Sequence, residues 1–369
     1  MNDNTNPPVA RVTSLAGLTE LVPYMIGFTP EESMVLMATV HGQVQVTARV
    51  DLVDVQPAGQ LEDLLDRLTG RYPDATFLTL AYTEQADTGW AMMQRANDHL
   101  GEDRTQVKVL VTGDTWYDST GASGALDRYG PLAVQAAMHG LRRDNRRSDL
   151  ADRFQPAVMT DTIRGDILSA IHALPDPHRR DEVTRIAHQL ITQHVADSGA
   201  HLDTVDAAKL ALATKTTNVA DLALSMIGDP AAAEQHLALW AAVVNRLPAQ
   251  LVERPLQLAG VAAWASGNGA VASITAELAD KVDNPTANPI RTVLEIVTTA
   301  VVPPTLWPEL RQEMTAAADP SVQALLSGAQ PTPSAPNQTW EMVHPPGHTD
   351  PRRQPPAQPG GSPAVGPAI

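Results

Sequence analysis

Residues 21–40 read LVPYMIGFTPEESMVLMATV, and the parsing of that stretch decides the fold. Pro23 has no amide hydrogen and disfavours helix at Val22, so a helix begun at Ser14 is expected to stop there or to restart at Pro23. Gly27 suits a helix end where the backbone turns left-handed. Thr29-Pro30-Glu31-Glu32 has the order of a cap, a first-turn proline and two acids, and reads as one helical turn. Met34 to Val40 is almost continuously apolar, as in a strand covered on both faces. Ser33 and Tyr24 are read as structural. The stretch is architecture and carries no chemistry.

Working outward, Ser14 caps a short helix with Leu15, Leu18, Leu21 and Val22 on one side. His41-Gly42 is a tight turn. Val44, Val46, Ala48 and Val50 then alternate with Gln45, Thr47 and Arg49, which predicts a hairpin. Gln60 to Arg71 carries Leu61, Leu64, Leu65 and Leu68 at helical spacing. A third strand follows from Ala75 to Tyr82, then a helix lined by Trp90, Met93, Ala96 and Leu100, then a fourth strand from Gln106 to Thr112. Strands joined through helices are ordinarily parallel and right-handed. The expectation is an α/β N-terminal domain over residues 13–156, its sheet mostly parallel with a hairpin at or near one edge. Residues 113–130 read as a long polar, glycine-bearing connection. A short helix from Pro131 to Leu141, a basic run and the segment Ser148 to Phe154 lead to a boundary at Pro156.

Val22-Pro23-Tyr24-Met25-Ile26-Gly27-Phe28, then Pro30 and Ser33-Met34-Val35, resembles the opening signature of a bacterial family of uncharacterised proteins, domain-of-unknown-function family 4192. The resemblance extends through Asp51 and, as pattern, to about Leu310. No activity is established for that family, so the resemblance implies a fold and no site. In the family a Trp after the third long strand is often followed by clustered cysteines. This chain keeps Trp116 but continues Tyr117-Asp118-Ser119-Thr120-Gly121, so no metal or redox role of those cysteines transfers.

From Val158 to Gly328 the strong signals are helical, and an all-α domain is expected over residues 157–328. Asp176-Pro177, Asp229-Pro230 and Asp319-Pro320 pair an acidic cap with a first-turn proline. Val183, Ile186, Ala187, Leu190, Ile191 and Val195 form one stripe; Leu237, Trp240, Ala241, Val244 and Leu247 form another. Near residues 256–285 the chain is similar to one tetratricopeptide-type helical hairpin, with Gly260, Gly267, Asn268, Ala272, Ala279 and Asp283 at the small-residue, turn and terminal positions. Residues 1–12 read as a disordered lead, and 329–369 as a proline-rich disordered tail with one apolar knot at Trp340-Glu341-Met342-Val343.

The chain has 369 residues, enough for two sizeable cores, and is 43% hydrophobic but only 4% aromatic. That balance favours close-packed helices over a sandwich or barrel. A net charge of -16 argues against a general nucleic-acid or anionic-membrane binder. Without cysteine there is no disulfide, thiolate nucleophile or cysteine-bound zinc. No stretch reads as a signal peptide, and none approaches the ~20 apolar residues that span a bilayer. A cytoplasmic protein is expected.

Phosphate-loop, metalloprotease-helix, nucleophile-elbow and EF-hand motifs are missing. Gly267 to Ala272 spells a dinucleotide fingerprint, but a helix precedes it where a strand is required. His172, His178, His188, His194 and His201 contain no i,i+4 pair; His344 and His348 do, in the proline-rich tail. No metal site is expected. The best ligand-binding candidates are Asp114, Thr115, Asp118, Ser119 and Thr120, in the loop after the fourth strand, where open parallel sheets take ligands. Two aspartates with hydroxyls there could position Mg²⁺ and a phosphate; the bland reading is a surface turn. Asp51 would join them only if the second strand ran parallel. Arg142, Arg143, Arg146 and Arg147 are the candidates for a partner contact, against a salt-bridged helix end among Asp144, Asp149 and Asp152. The catalytic residues and any cofactor stay unassigned. The expected role is a non-enzymatic protein-interaction or scaffold protein using its helical half; the alternative is a phosphate- or nucleotide-binding protein, or a Mg-dependent enzyme, at the carboxyl ends of the sheet strands.

Overall fold

The computed structural model describes residues 12–138, 142–282, 286–299 and 302–328. Ser14 caps helix α1 (Leu15–Ile26), its hydroxyl accepting from the Gly17 amide at 3.1 Å. The helix runs straight through Pro23. The proline sits in the last turn, where it forfeits a single backbone bond, and burial of Leu18, Leu21, Val22 and Ile26 outweighs that loss. Gly27 ends it in the left-handed region at φ 85°. The helical turn expected at Thr29 to Glu32 does not form. The segment is irregular, and Glu32 takes φ 41°, a conformation that a helical first turn excludes.

Strands β1 (Ser33–Val40) and β2 (Gln43–Asp51) make the expected hairpin. Helices α2 (Leu52–Val55) and α3 (Gln60–Arg71) lead to β3 (Thr76–Tyr82), and α4 (Ala86–Leu100) leads to β4 (Thr105–Thr112). The polar connection contains two further strands, β5 (Thr115–Asp118) and β6 (Ser123–Ala125), a hairpin too short to show alternation. The order across the sheet is β2-β1-β3-β4-β5-β6. The sheet is therefore mixed, not mostly parallel: β3 and β4 are the one parallel pair of neighbours. The crossover from β2 to β3 does keep the expected parallel direction, but β1 lies between them and runs the other way.

The pleat splits the sheet cleanly. Met34, Leu36, Ala38, Phe77, Ala81 and Leu110 face α2, α3 and α4; Val35, Met37, Leu80, Tyr82, Val109 and Val111 face α1. Arg95 of α4 fastens the first layer, donating to the Glu62 carboxylate and to the carbonyls of Val55, Gln56 and Pro57. Its guanidinium holds the Glu62 carboxyl down at about 2. On the other layer, the buried Glu20 carboxylate of α1 accepts from the Ala133 amide at 2.6 Å, capping α5 (Pro131–Met138).

The helical half comprises α6 (Arg147–Ala151), α7 (Asp161–Ala173), α8 (Arg180–Val195), α9 (Thr204–Ala213), α10 (Thr217–Met226), α11 (Pro230–Arg246), α12 (Glu253–Ala265), α13 (Gly269–Asp280), α14 (Pro289–Thr299), α15 (Trp307–Ala317) and α16 (Pro320–Leu326). Among the described residues no strand follows β6. Asp229 and Asp319 cap α11 and α16 as read from the sequence. Asp176-Pro177 instead forms a turn, and α8 starts four residues after that aspartate. Helix α12 is buried at every residue from Pro255 to Ala265, enclosed by α11, α13 and α14. Gly260 permits this: a Cβ there would lie 2.6 Å from Thr275 Oγ1 and 2.8 Å from Leu294 Cδ1. The hairpin α12–α13 is present, though nothing in its packing marks it as a tetratricopeptide unit, and Asp283 lies outside the described residues. Trp264 and Trp307 meet edge to face at 5.8 Å, and their indole nitrogens donate to the carbonyls of Val302 and Ile227.

The described residues of both halves fall in one compact unit. Ile26, at the end of α1, and Phe28, before β1, belong to the helical core, joined there by Leu150 and Phe154. Residues 1–11 of the proposed lead, and the tail with Trp340, His344 and His348, lie outside the described residues. Among the described residues no helix is long and apolar enough to cross a membrane.

Two expectations follow. Gly260→Val should lower stability by about 1–3 kcal/mol through overpacking, read as a shift in urea midpoint at constant slope. Burial pushes the imidazole of His236, 2% exposed, down to about 4, partly offset by a hydrogen bond to the Met226 backbone. The unfolded chain then takes up a proton near pH 6.5 that the folded chain refuses until about pH 4. Stability should be intact above pH 6.5 and fall on the order of 3 kcal/mol as pH drops through that window; His236→Gln should flatten the dependence in urea titrations at pH 4.5 and 7.

Candidate functional site

A cavity of about 500 Å³ opens at the carboxyl ends of β3 and β4, on the α1 side of the sheet. It arises where three chain segments must turn away from the same sheet edge. Thr29 to Glu32 enters β1, Thr83-Glu84 leaves β3, and Gly113 leaves β4. Arg128, Asn145 and Arg146 close the mouth, while Pro23, Tyr82, Val111 and Leu126 supply apolar wall.

Local bonds fix the floor. Glu32 Oε2 accepts from the Thr83 hydroxyl at 2.8 Å, and Oε1 from the Glu84 amide at 3.2 Å. Glu84 Oε1 accepts from the Gly113 amide at 3.1 Å, and the Thr112 hydroxyl donates to the Thr83 carbonyl at 3.0 Å. A non-glycine residue at φ 41° stores backbone strain, and such strain gathers at functional sites. Segment 144–146 is laid against Gly27–Thr29 as an extra ribbon: the Thr29 amide donates to Asp144 O at 3.1 Å, and the Asp144 amide to Gly27 O at 2.8 Å. That ribbon delivers Asn145 and Arg146 to the mouth.

Two hydroxyls beneath the cavity have no partner. Tyr82 lines it, is 4% exposed, and its buried hydroxyl makes no hydrogen bond. Burial pushes its phenol far above the ordinary tyrosine range. Ser33, fully buried and directly opposite Tyr82 in the β1–β3 ladder, is unpartnered too. Paired positions share a face, so both hydroxyls lie on the cavity side of the sheet.

The structure separates the residues singled out from the sequence. Asp114 follows Gly113 and accepts from Arg128 at 2.7 Å, close to the cavity mouth. Thr115 pairs with Thr112 and Ala125 within the sheet. Asp118 stands at the other end of β5, roughly 13 Å of strand away from Asp114. Its carboxylate accepts from the Thr120 hydroxyl and from the amides of Thr120 and Ala122, which holds it below the usual range. Ser119 is exposed in the same turn. The two aspartates do not converge. Among the described residues, no three His, Asp or Glu side chains are grouped to hold a metal ion. Asp51 does reach the carboxyl edge, because β1 is reversed relative to β3 as well as to β2. It is taken by Arg49, at 2.6 and 2.9 Å.

The arginine run is likewise dispersed. Arg142 is exposed; Arg143 lies 5.3 Å over the Tyr24 ring; Arg147 is paired with Glu277 of α13. Arg146 faces Glu31 at 3.8 Å across the mouth. The sequence reading missed Glu31, Glu32, Thr83, Glu84 and Arg128. The strand-end rule that pointed to Asp114 applies equally to β3, and would have found Thr83-Glu84.

Residues 16–304 match the model of a family described as Domain of unknown function (DUF4192). The chain belongs to this family. The match takes in the opening signature, the whole sheet and the helical half through α14. Neither a search of curated proteins nor one of solved structures finds a match to the chain. Within this DUF4192 chain, the signature residues Pro23 and Pro30 line the cavity.

Replacing Thr83 by Val should leave the Glu32 carboxylate and the Gln85 amide each short of one bond. A loss of about 1–2 kcal/mol is expected in urea unfolding, with no change of slope.

Proposed function

We propose that this protein binds a small polar molecule in the cavity at the carboxyl edge of its sheet. The observation that carries the reading is the convergence of three strand ends on a space of about 500 Å³, within the range of small-ligand sites. Position supports it as well, since open sheets with parallel strands take ligands at this edge. The reading replaces the pair Asp114 and Asp118 with the floor built from Glu32, Thr83 and Glu84. Asn145→Trp, at the mouth, should fill the opening without touching the core. A thermal-shift screen of small polar metabolites should give a stabilising ligand for the natural chain and none for Asn145→Trp; equal responses from both proteins would overturn the reading.

A second reading, the protein-interaction or scaffold role for the helical half, is favoured by Leu168 and Ile171. They are about half exposed on the outer side of α7, close in sequence to exposed Val158 and Met159. The hairpin α12–α13, similar in its small residues to a tetratricopeptide unit, would lend rigidity to the helical half, while α9 packs directly against α7. Both readings place the protein in the bacterial cytoplasm, and a net charge of -16 disfavours nucleic acid as the partner.

A further inference from the structure

The charges around the cavity divide in a way that restricts what can enter. Glu31, Glu32 and Glu84 bring three carboxylates; Arg128 and Arg146 bring two guanidinium groups. Each arginine already faces an acid, Arg128 at Asp114 and Arg146 at Glu31. A purely anionic ligand would compete with those acids for the arginines while lying beside Glu32 and Glu84. A purely cationic one would meet the arginines with nothing to offer them. Electrostatic repulsion at such range in a partly enclosed space is costly for either.

The floor has unspent capacity. Glu84 Oε1 is engaged by Gly113, while Glu84 Oε2 accepts no described hydrogen bond. The Tyr82 side chain also lines the space, with its hydroxyl sealed beneath the surface. A ligand nitrogen carrying several hydrogens could donate to the Glu84 carboxylate while resting against the Tyr82 side chain that lines the space. An oxyanion on the same ligand would reach the arginines at the mouth, the side chain best suited to carboxylate and phosphate.

We propose that the ligand is amphoteric: a small molecule bearing an ammonium or guanidinium group, held at the Glu84–Tyr82 floor, and a carboxylate or phosphate, held by Arg128 and Arg146. The assignment rests on the cavity reading above and specifies its chemistry.

Titration calorimetry at low salt with five probes tests it: L-lysine and L-glutamate as amphoteric probes, succinate and inorganic phosphate as anions, and 1,4-diaminobutane as a dication. At least one amino acid should bind saturably, and at least tenfold more tightly than any of the other three. Glu84→Gln and Arg146→Met should each weaken that binding tenfold or more. Succinate or phosphate binding as tightly, and indifferent to Glu84→Gln, would overturn the amphoteric assignment and leave the cavity reading intact. So would diaminobutane binding that ignores Arg146→Met. Failure of all five probes, with no stabilising ligand in the wider screen, would sink both.

Discussion

Strand β1 is the constraint on which the structure depends. Seven of its eight residues, Ser33 to Thr39, are buried, and it is paired on both sides. A strand with no wet face needs cover above and below, which is why α1 is recruited to one side of the sheet and α2, α3 and α4 to the other. Its direction matters as much as its burial. Because β1 runs against both neighbours, β2 and β3 point the same way, and their carboxyl ends share an edge with the start of β1. The cavity is the space left where the end of β3, the end of β4 beside it and the start of β1 diverge.

Much of this was legible in the residues. The apolar run Met34–Val40, the alternation from Val44 to Val50 and the leucine spacing of Gln60–Arg71 each specify an element through burial alone, and each element is present. What burial does not specify is neighbour choice. Nothing local in β3 says whether it pairs with β1 or β2, so a right inference about crossover direction still gave a wrong picture of the ladder. The hairpin Thr115–Ala125 was hidden for a different reason. It is held by the Trp116 ring lying on Gly124, where a Cβ would come within 2.8 Å, and by the Asp118 turn. Neither leaves a periodic trace.

The site was harder to read than the fold because its residues are ordinary in sequence. Glu31-Glu32 after a proline resembles a helix start, and only the positive φ of Glu32 shows that the segment is a turn into a strand. Arg146 reads as one of four arginines in a basic run until the ribbon beside Gly27–Thr29 carries it alone to the mouth, while Arg143 and Arg147 turn to Tyr24 and Glu277. Such information sits in long-range backbone pairing, to which spacing rules are blind.

Phe28 has a consequence for the natural history of the chain. Its ring is 2% exposed, and it is counted among the same buried cluster as Trp240 and Leu210, far along the polypeptide. An α/β layer parted from its helices would carry Ile26 and Phe28 into water as greasy, unanswered surface. The two halves are thus ill suited to recombination as independent modules, and the signature around Gly27 is expected to travel through evolution only in the company of the helices that shelter it.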